Sequence, residues 1–307
     1  MNVDLLRERA RIVSAIRRFF DGQGFVEVET AVRIDAPAPE EHIDCPPVVG
    51  GGYLRASPEL QMKKLLAAGM DKIYQIGPCF REGERGSRHN PEFTMIEWYR
   101  KNATYLDIEN DLHALVQSLM FDVRRGADLR PFSDNVKHQT SNFKHLHVRD
   151  AYLRYAGWDP WVGDWDQDRF DFDMATKIEP AIRELGGGVF LMDYPPQAAS
   201  LAKLSTALPT TNNQLPTTYA ERWEFYWNGM ELANCFTELC DRDEQKRRFE
   251  KAREVRKSLK ESDYPIDNEF IDCLPNIESA SGVALGIDRL VMVLTKTREI
   301  SAVRAQI

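Results

Sequence analysis

The stretch "CFREGERGSRHNPEFTMIEWYR", Cys79 to Arg100, narrows the possible folds more than any other part of the chain. Its approach is apolar, its middle is a ten-residue burst of charge and glycine, and its return alternates two kinds of side chain. That pattern is an antiparallel strand pair around an oversized tip, since ordinary hairpin tips hold about two to five residues. On the returning strand Phe93, Met95, Glu97 and Tyr99 share one face, and Thr94, Ile96 and Trp98 share the other. A face that mixes Phe, Glu and Tyr is not plain core. By composition alone the tip, with Arg81, Glu82, Glu84, Arg85, Arg88 and His89, reads as a solvated turn. Its length argues otherwise, and Arg81 closes the incoming strand, where a fixed guanidinium can fork onto a phosphate.

The remaining segments mix helices and strands without regular alternation. Leu5, Ile12, Ile16 and Phe19 or Phe20 recur on one helical stripe, and "GFVEVET" alternates as a half-buried strand. "SPELQMKKLLAAG" predicts a helix over 57–69, with Ser57 as N-cap, Pro58 at the first helical position, Glu59 in the first turn and Gly69 as the stop. A helix near 106–120 and a strand in "GVFLMDYP" follow. Asn228-Gly229 marks a tight hairpin inside "ERWEFYWNGMELANCF", and "SGVALGIDRLVMVL" is a glycine-spaced strand entering a helix. The proline-punctuated "TALPTTNNQLPTT", 206–218, reads as a long loop or mobile lid. The expected fold is α+β, with helices flanking an antiparallel sheet.

A length of 307 residues suits one large domain or two ordinary ones, and the net charge of −8 excludes a broad basic surface for gripping phosphate backbones. The N-terminus is amphipathic rather than a signal core. Cys45, Cys79, Cys235, Cys240 and Cys273 form an odd set without a CxxC pair, as expected of reduced cytoplasmic thiols.

Gly-Pro-Cys-Phe-Arg with its charged loop and "RHNPEFTMIEWYR" resembles motif 2 of the class II aminoacyl-tRNA synthetases, and "GVALGIDRLVMVL" resembles their motif 3. The phrases "SPELQMKKLL", "HNPEFTMIEWYR", "GMELANCFTEL" and "SGVALGIDRLVM" are most similar to lysyl-tRNA synthetases and to their truncated paralogues, the elongation factor P lysine ligases. The resemblance covers essentially the whole chain, 1–307, as one synthetase-like catalytic domain. Lysyl-tRNA synthetases precede this domain with an anticodon-binding domain, whereas this sequence enters the first catalytic helix at once, which points to the paralogues.

The resemblance implies activation of lysine or (R)-β-lysine by ATP with Mg²⁺, elongation factor P as acceptor, no stable tRNA binding and a homodimer. By family position, Arg81 holds the α-phosphate and the attacking carboxylate, and adenine lies between Phe93 and Arg289. Glu82, Gly83, Asn90, Leu232 and Gly286 complete the nucleotide site, Gly286 by letting backbone approach, and Glu231 carries the Mg²⁺. Arg81, Arg289 and Glu231 are the catalytic set. Ser57, Pro58 and Glu59 seat the backbone-side amine of the substrate, Glu238 and Tyr99 meet its distal ammonium, and Ala284 reshapes the pocket floor. Glu82, Glu84 or Glu97, at the pocket mouth, is expected to deprotonate the acceptor amine.

Three departures stand out. Gly83 occupies the place of the glutamate of the family's Arg-x-Glu, with Glu82 and Glu84 flanking it, and Ala31 stands where motif 1 usually has proline. Glu231 and Glu238, seven apart, would face opposite sides of an ideal strand, so a bulge or a strand end must intervene. Two other readings stay open, a tRNA-charging or other-carrier lysine activator and a catalytically dead regulatory module. Against the first stands the absence of a basic RNA-binding segment, and against the second the retention of Arg81, Glu231, Glu238 and Arg289.

Overall fold

The computed structural model describes residues 2–41, 43–125, 143–206 and 218–305. Most of the expected 206–218 loop thus lies outside the described residues. The chain forms two compact units, Met1–Ala103 with Leu239–Ile307, and Thr104–Glu238. In chain order the first holds α1 (Val3–Gly22), β1 (Val26–Glu27), β2 (Arg33–Ile34), β3 (Tyr53–Leu54), α2 (Glu59–Ala67), β4 (Lys72–Phe80) and β5 (Glu92–Lys101). The second holds α3 (Tyr105–Arg125), β6 (Lys144–His147), α4 (Val148–Ala151), α5 (Gln167–Asp173), α6 (Glu179–Leu185), β7 (Gly188–Tyr194), β8 (Leu204–Thr206), β9 (Thr218–Trp227) and β10 (Met230–Thr237). The first unit resumes with α7 (Arg242–Ser258), α8 (Asn268–Cys273), β11 (Ala280–Gly286) and α9 (Ile287–Thr295).

In the first unit β4, β5 and β11 run antiparallel in sequence of pairing, and β1 joins β4 in parallel. Helix α1 starts on Asn2, whose side chain accepts from the N–H groups of Asp4 and Leu5, and it buries the expected stripe of Ile12, Ile16 and Phe20. Phe20 meets Phe25, Tyr74 and Trp98 at ring distances of 5.1, 5.0 and 5.1 Å, which anchors the helix to the sheet. The strand expected in "GFVEVET" shrinks to two residues. Beyond it the backbone is satisfied by side chains: Gln75 accepts from the Thr30 N–H, and the buried Arg55 donates to the carbonyls of Thr30 and Ala31.

In the second unit β7, β9 and β10 are antiparallel, β8 pairs with β9, and β6 lies parallel to β7. The hairpin turn is where it was expected, with Asn228 and Gly229 at φ of 51° and 72°, the paired left-handed residues a type I′ turn demands. The α+β fold is as expected, and the antiparallel pairs are joined by two parallel ones, β1·β4 and β6·β7, that the sequence did not show. Each joins strands through a crossover containing helix, and the four-residue β6, "KHLH", carries no apolar signal that would reveal it. Among the described residues no helix is long and apolar enough to cross a membrane. All five cysteines are free thiols.

Candidate active site

The loop between β4 and β5 is the first element of the site. Register sets Cys79 opposite Phe93, and the pairing extends one step further as the Arg81 N–H donates to the Pro91 carbonyl at 2.9 Å. Gly83 has φ +78°, a left-handed conformation that turns the chain at once and favours glycine. That turn brings Glu84 back to Arg81, Oε1 to Nη1 at 3.5 Å, while Glu82 faces solvent. The Arg81 guanidinium lies 5.3 Å from the centroid of Phe93. Asn90 donates to the Glu92 carbonyl at 2.5 Å and so braces the loop's return. Arg289, on α9, reaches the loop, with Nε 3.3 Å from the Arg88 carbonyl and Nη2 2.7 Å from His89 Nε2. A neutral imidazole accepts that bond; burial and the neighbouring Arg289 push the His89 pKa down, in agreement.

Asp288, unmarked in the sequence reading, joins these parts. Its buried carboxylate accepts from the Thr94 N–H at 2.9 Å, pairs with Arg9 of α1 at 2.5 Å and with Arg304 at 3.0 Å. The neighbours of Phe93 and Arg289 are thereby fixed to each other. Gly286 caps α9 with an ordinary φ of −73°, so its backbone conformation does not demand glycine.

Deeper on the same β5 face stand two carboxylates. Glu97 is fully buried and accepts from the Ser57 hydroxyl at 2.6 Å and the Tyr99 hydroxyl at 2.7 Å. Burial first, and then the nearby charge of Glu59, push its pKa up to about 7. Its full burial places it in the interior and not at a pocket mouth, which corrects that expected position. Glu59, at the start of α2, is held by buried Lys63 at 2.5 Å. The helix begins at Glu59 rather than Pro58, yet Ser57 still accepts from the Glu59 N–H at 2.9 Å. Opposite them, register pairs Gly282 with Tyr99 and Ala284 with Glu97, so the Ala284 methyl shares Glu97's face. A Cβ at Gly282 would sit 2.1 Å from the Tyr99 ring. Glycine there admits the ring flat against the strand, its hydroxyl aimed at Glu97.

In the second unit, Glu231 and Glu238 lie on and just after β10. The ladder slips between Glu231 and Ala233, a bulge that absorbs one residue and returns both glutamates to one side of the strand. Leu232, inside the bulge, buries its side chain in the unit, which leaves its backbone as the part a ligand could meet. On the Glu231 side, Arg222, Glu224 and Tyr226 of β9 form a linked row. Arg222 and the Tyr226 hydroxyl both donate to Glu224 at 2.7 Å, Arg222 also reaches Asn234 at 3.1 Å, and its guanidinium lies 4.3 Å from the Tyr194 ring centroid. The field of Glu231 acts on Tyr194, Arg222 and Tyr226. Among the described residues no group of three or more His, Cys, Asp and Glu is set to cage a metal. Glu224 and Glu231 offer two carboxylates, the number with which Mg²⁺ is commonly held when phosphates supply the rest, so their chemistry fits that ion.

The class II tRNA synthetase family (D, K and N) matches residues 2–305. The chain belongs to this family. Among its curated relatives, the elongation factor P–(R)-β-lysine ligase of Proteus mirabilis is 35% identical, covering 98% of this chain and 94% of its own. Those of the same name from Yersinia enterocolitica and Pectobacterium atrosepticum are both 36% identical with the same coverage. In this class II synthetase the displaced motif 2 glutamate has a local explanation: Gly83 makes the turn, and Glu84 returns to Arg81. Glu224, Asp288 and Lys63 are not singled out by the sequence as site residues, and Glu97 is read there only as a candidate base; an acidic residue among aromatics on a sheet face, as in "IEWY" and "WEFY", is the signal that finds Glu97 and Glu224.

Proposed function

We propose that the chain activates lysine or (R)-β-lysine with ATP and transfers the acyl group to a lysine side chain of elongation factor P. The observation that carries this reading is the buried pair Glu59 and Glu97 with the Tyr99 hydroxyl. The field of Glu59 on buried Glu97 is one that an added ammonium would relieve and an apolar or acidic amino acid would not. The name shared by the relatives, elongation factor P–(R)-β-lysine ligase, supports the same substrate and acceptor.

In the first step a carboxylate oxygen of the amino acid bonds to the α-phosphorus of ATP, and pyrophosphate leaves. Arg81 neutralises charge on the carboxylate and the phosphate, Phe93 offers an aromatic face to adenine, and Arg289 flanks it; this is positioning and electrostatic catalysis. Glu231, with Glu224, would hold Mg²⁺, which when bound supplies charge neutralisation for the phosphates. Ser57, Pro58 and Glu59 seat the substrate amine; Glu97, Tyr99 and Glu238 meet the distal ammonium. In the second step an uncharged acceptor amine bonds to the carbonyl carbon, AMP leaves, and the nitrogen gives up its proton; Glu82, exposed beside the phosphate arginine, is the available carboxylate. We take the enzyme to be a cytoplasmic homodimer; the free thiols suit a reducing compartment.

The test has two parts. ATP–pyrophosphate exchange is measured with lysine and with (R)-β-lysine, and then total tRNA and elongation factor P are acylated side by side. Exchange with either amino acid and label on the protein are expected. No exchange promotes the regulatory module, and nuclease-sensitive labelling promotes tRNA charging.

A further inference from the structure

Arg256, on α7, lies outside every motif read in the sequence and is wholly buried. Its guanidinium serves mainly one irregular stretch. Nη1 donates to the carbonyls of Glu40 at 2.6 Å and Ile43 at 3.2 Å, and Nη2 pairs with Asp44 Oδ1 at 2.5 Å. Nε donates to the Ser262 carbonyl at 2.9 Å, and Glu261 stands 3.1 Å from Nη1. Tyr264, whose ring centroid is 4.4 Å from the guanidinium, donates its hydroxyl to Asp44 at 3.1 Å and accepts from the Cys45 N–H at 2.8 Å. The stretch around Asp44 belongs to no helix or ladder, so these bonds decide where its carbonyls point.

One of those carbonyls leads to the nucleotide loop: the Glu82 N–H donates to Asp44 O at 2.8 Å. Glu82 directly follows Arg81 and precedes the turn residue Gly83. We propose that Arg256 is a positioning residue for this loop, setting through Asp44 the place of the Arg81–Glu84 turn. The inference rests on the ATP-dependent reading above. A guanidinium presents five donors in a rigid fork, and an ammonium cannot satisfy three carbonyls and a carboxylate from one point. Without the fork the loop samples other conformers, and ATP binds only the fraction that is in place.

Hydrogen exchange of the ligand-free protein over 80–92 tests the coupling in Arg256→Lys, Asp44→Asn and Tyr264→Phe, alongside exchange kinetics with ATP and amino acid. Arg256→Lys and Asp44→Asn are expected to speed exchange of the Glu82 amide about tenfold and raise KM for ATP about five- to tenfold, with the amino-acid KM within about twofold. Lys257→Ala, a partly exposed neighbour, leaves both unchanged. Hydrogen exchange needs no substrate, so the coupling is judged even if the ligase reading fails. Should Arg256→Lys not fold, Asp44→Asn and Tyr264→Phe, which keep the guanidinium, decide. Unchanged Glu82 exchange in the folded variants overturns the proposal, as does an equal rise in both KM values.

Discussion

Binding of an ammonium-bearing substrate is expected to release a proton from Glu97. The free carboxyl titrates at about 7, raised from 4.5 by full burial and by Glu59, so at pH 7 about half the molecules carry the proton. The groups facing it are Glu59, itself paired with Lys63, the hydroxyls of Ser57 and Tyr99, and Cys79, whose buried thiol is pushed up to about 12 and stays neutral. A substrate ammonium within hydrogen-bond reach lowers a carboxyl pKa by about 1–3 units, which empties the site of its proton. Calorimetric titration in two buffers of unequal ionisation heat is expected to give release of about half a proton at pH 7, rising towards one at pH 6, and affinity that weakens below pH 7. In Glu97→Gln the size is kept, one of the two hydroxyl hydrogen bonds is lost or reverses because the amide nitrogen only donates, and the release vanishes. The same displacement acts on folding with a definite sign. A carboxyl whose folded pKa is raised contributes stability that is full below 4.5 and is lost as pH climbs to about 7; at about 1.4 kcal/mol per unit this is about 3 kcal/mol. Equal heats in both buffers, or proton release that persists in Glu97→Gln, refute the reasoning.

Gly282→Ala places a Cβ 2.1 Å from the Tyr99 ring, more than 1 Å inside ordinary contact, so the ring must leave Glu97. The amino-acid KM rises at least about tenfold while the KM for ATP stays within about twofold, as steady-state exchange kinetics will measure. Glu238→Gln removes most activity, an effect of about 2–5 kcal/mol on amino-acid activation, and leaves ATP affinity nearly unchanged by direct binding. Asp288→Ala strands the charge of Arg9 and leaves Arg304 with Glu92 alone, and lowers stability by about 3–5 kcal/mol, read from the denaturation midpoint. Chelation of Mg²⁺ abolishes pyrophosphate exchange, and a metal-independent rate would detach Glu231 from its assigned role.

The hairpins, the Asn228-Gly229 turn, the apolar stripe of α1 and the order of the motifs were all legible in the sequence, because each rests on side-chain periodicity or turn chemistry within a few residues. The chain's own letters also required a break in β10 between Glu231 and Glu238, since seven residues cannot keep one face of a regular strand. Only the tertiary structure decided that the break is a bulge at Glu231/Ala233, and that parallel strands enter both units. It also decided what surrounds each charge. Glu97 alternates with aromatics whether it stands at a mouth or in an interior; its burial follows from Ser57 arriving from before α2 and from Gly282 lying opposite Tyr99. Arg256 reads as one more cation on a polar helix until Asp44, far away in the chain, is brought against it. Periodicity acts between neighbours in sequence, whereas burial and charge pairing act between neighbours in space, and those are set only when strand register and remote segments have come together.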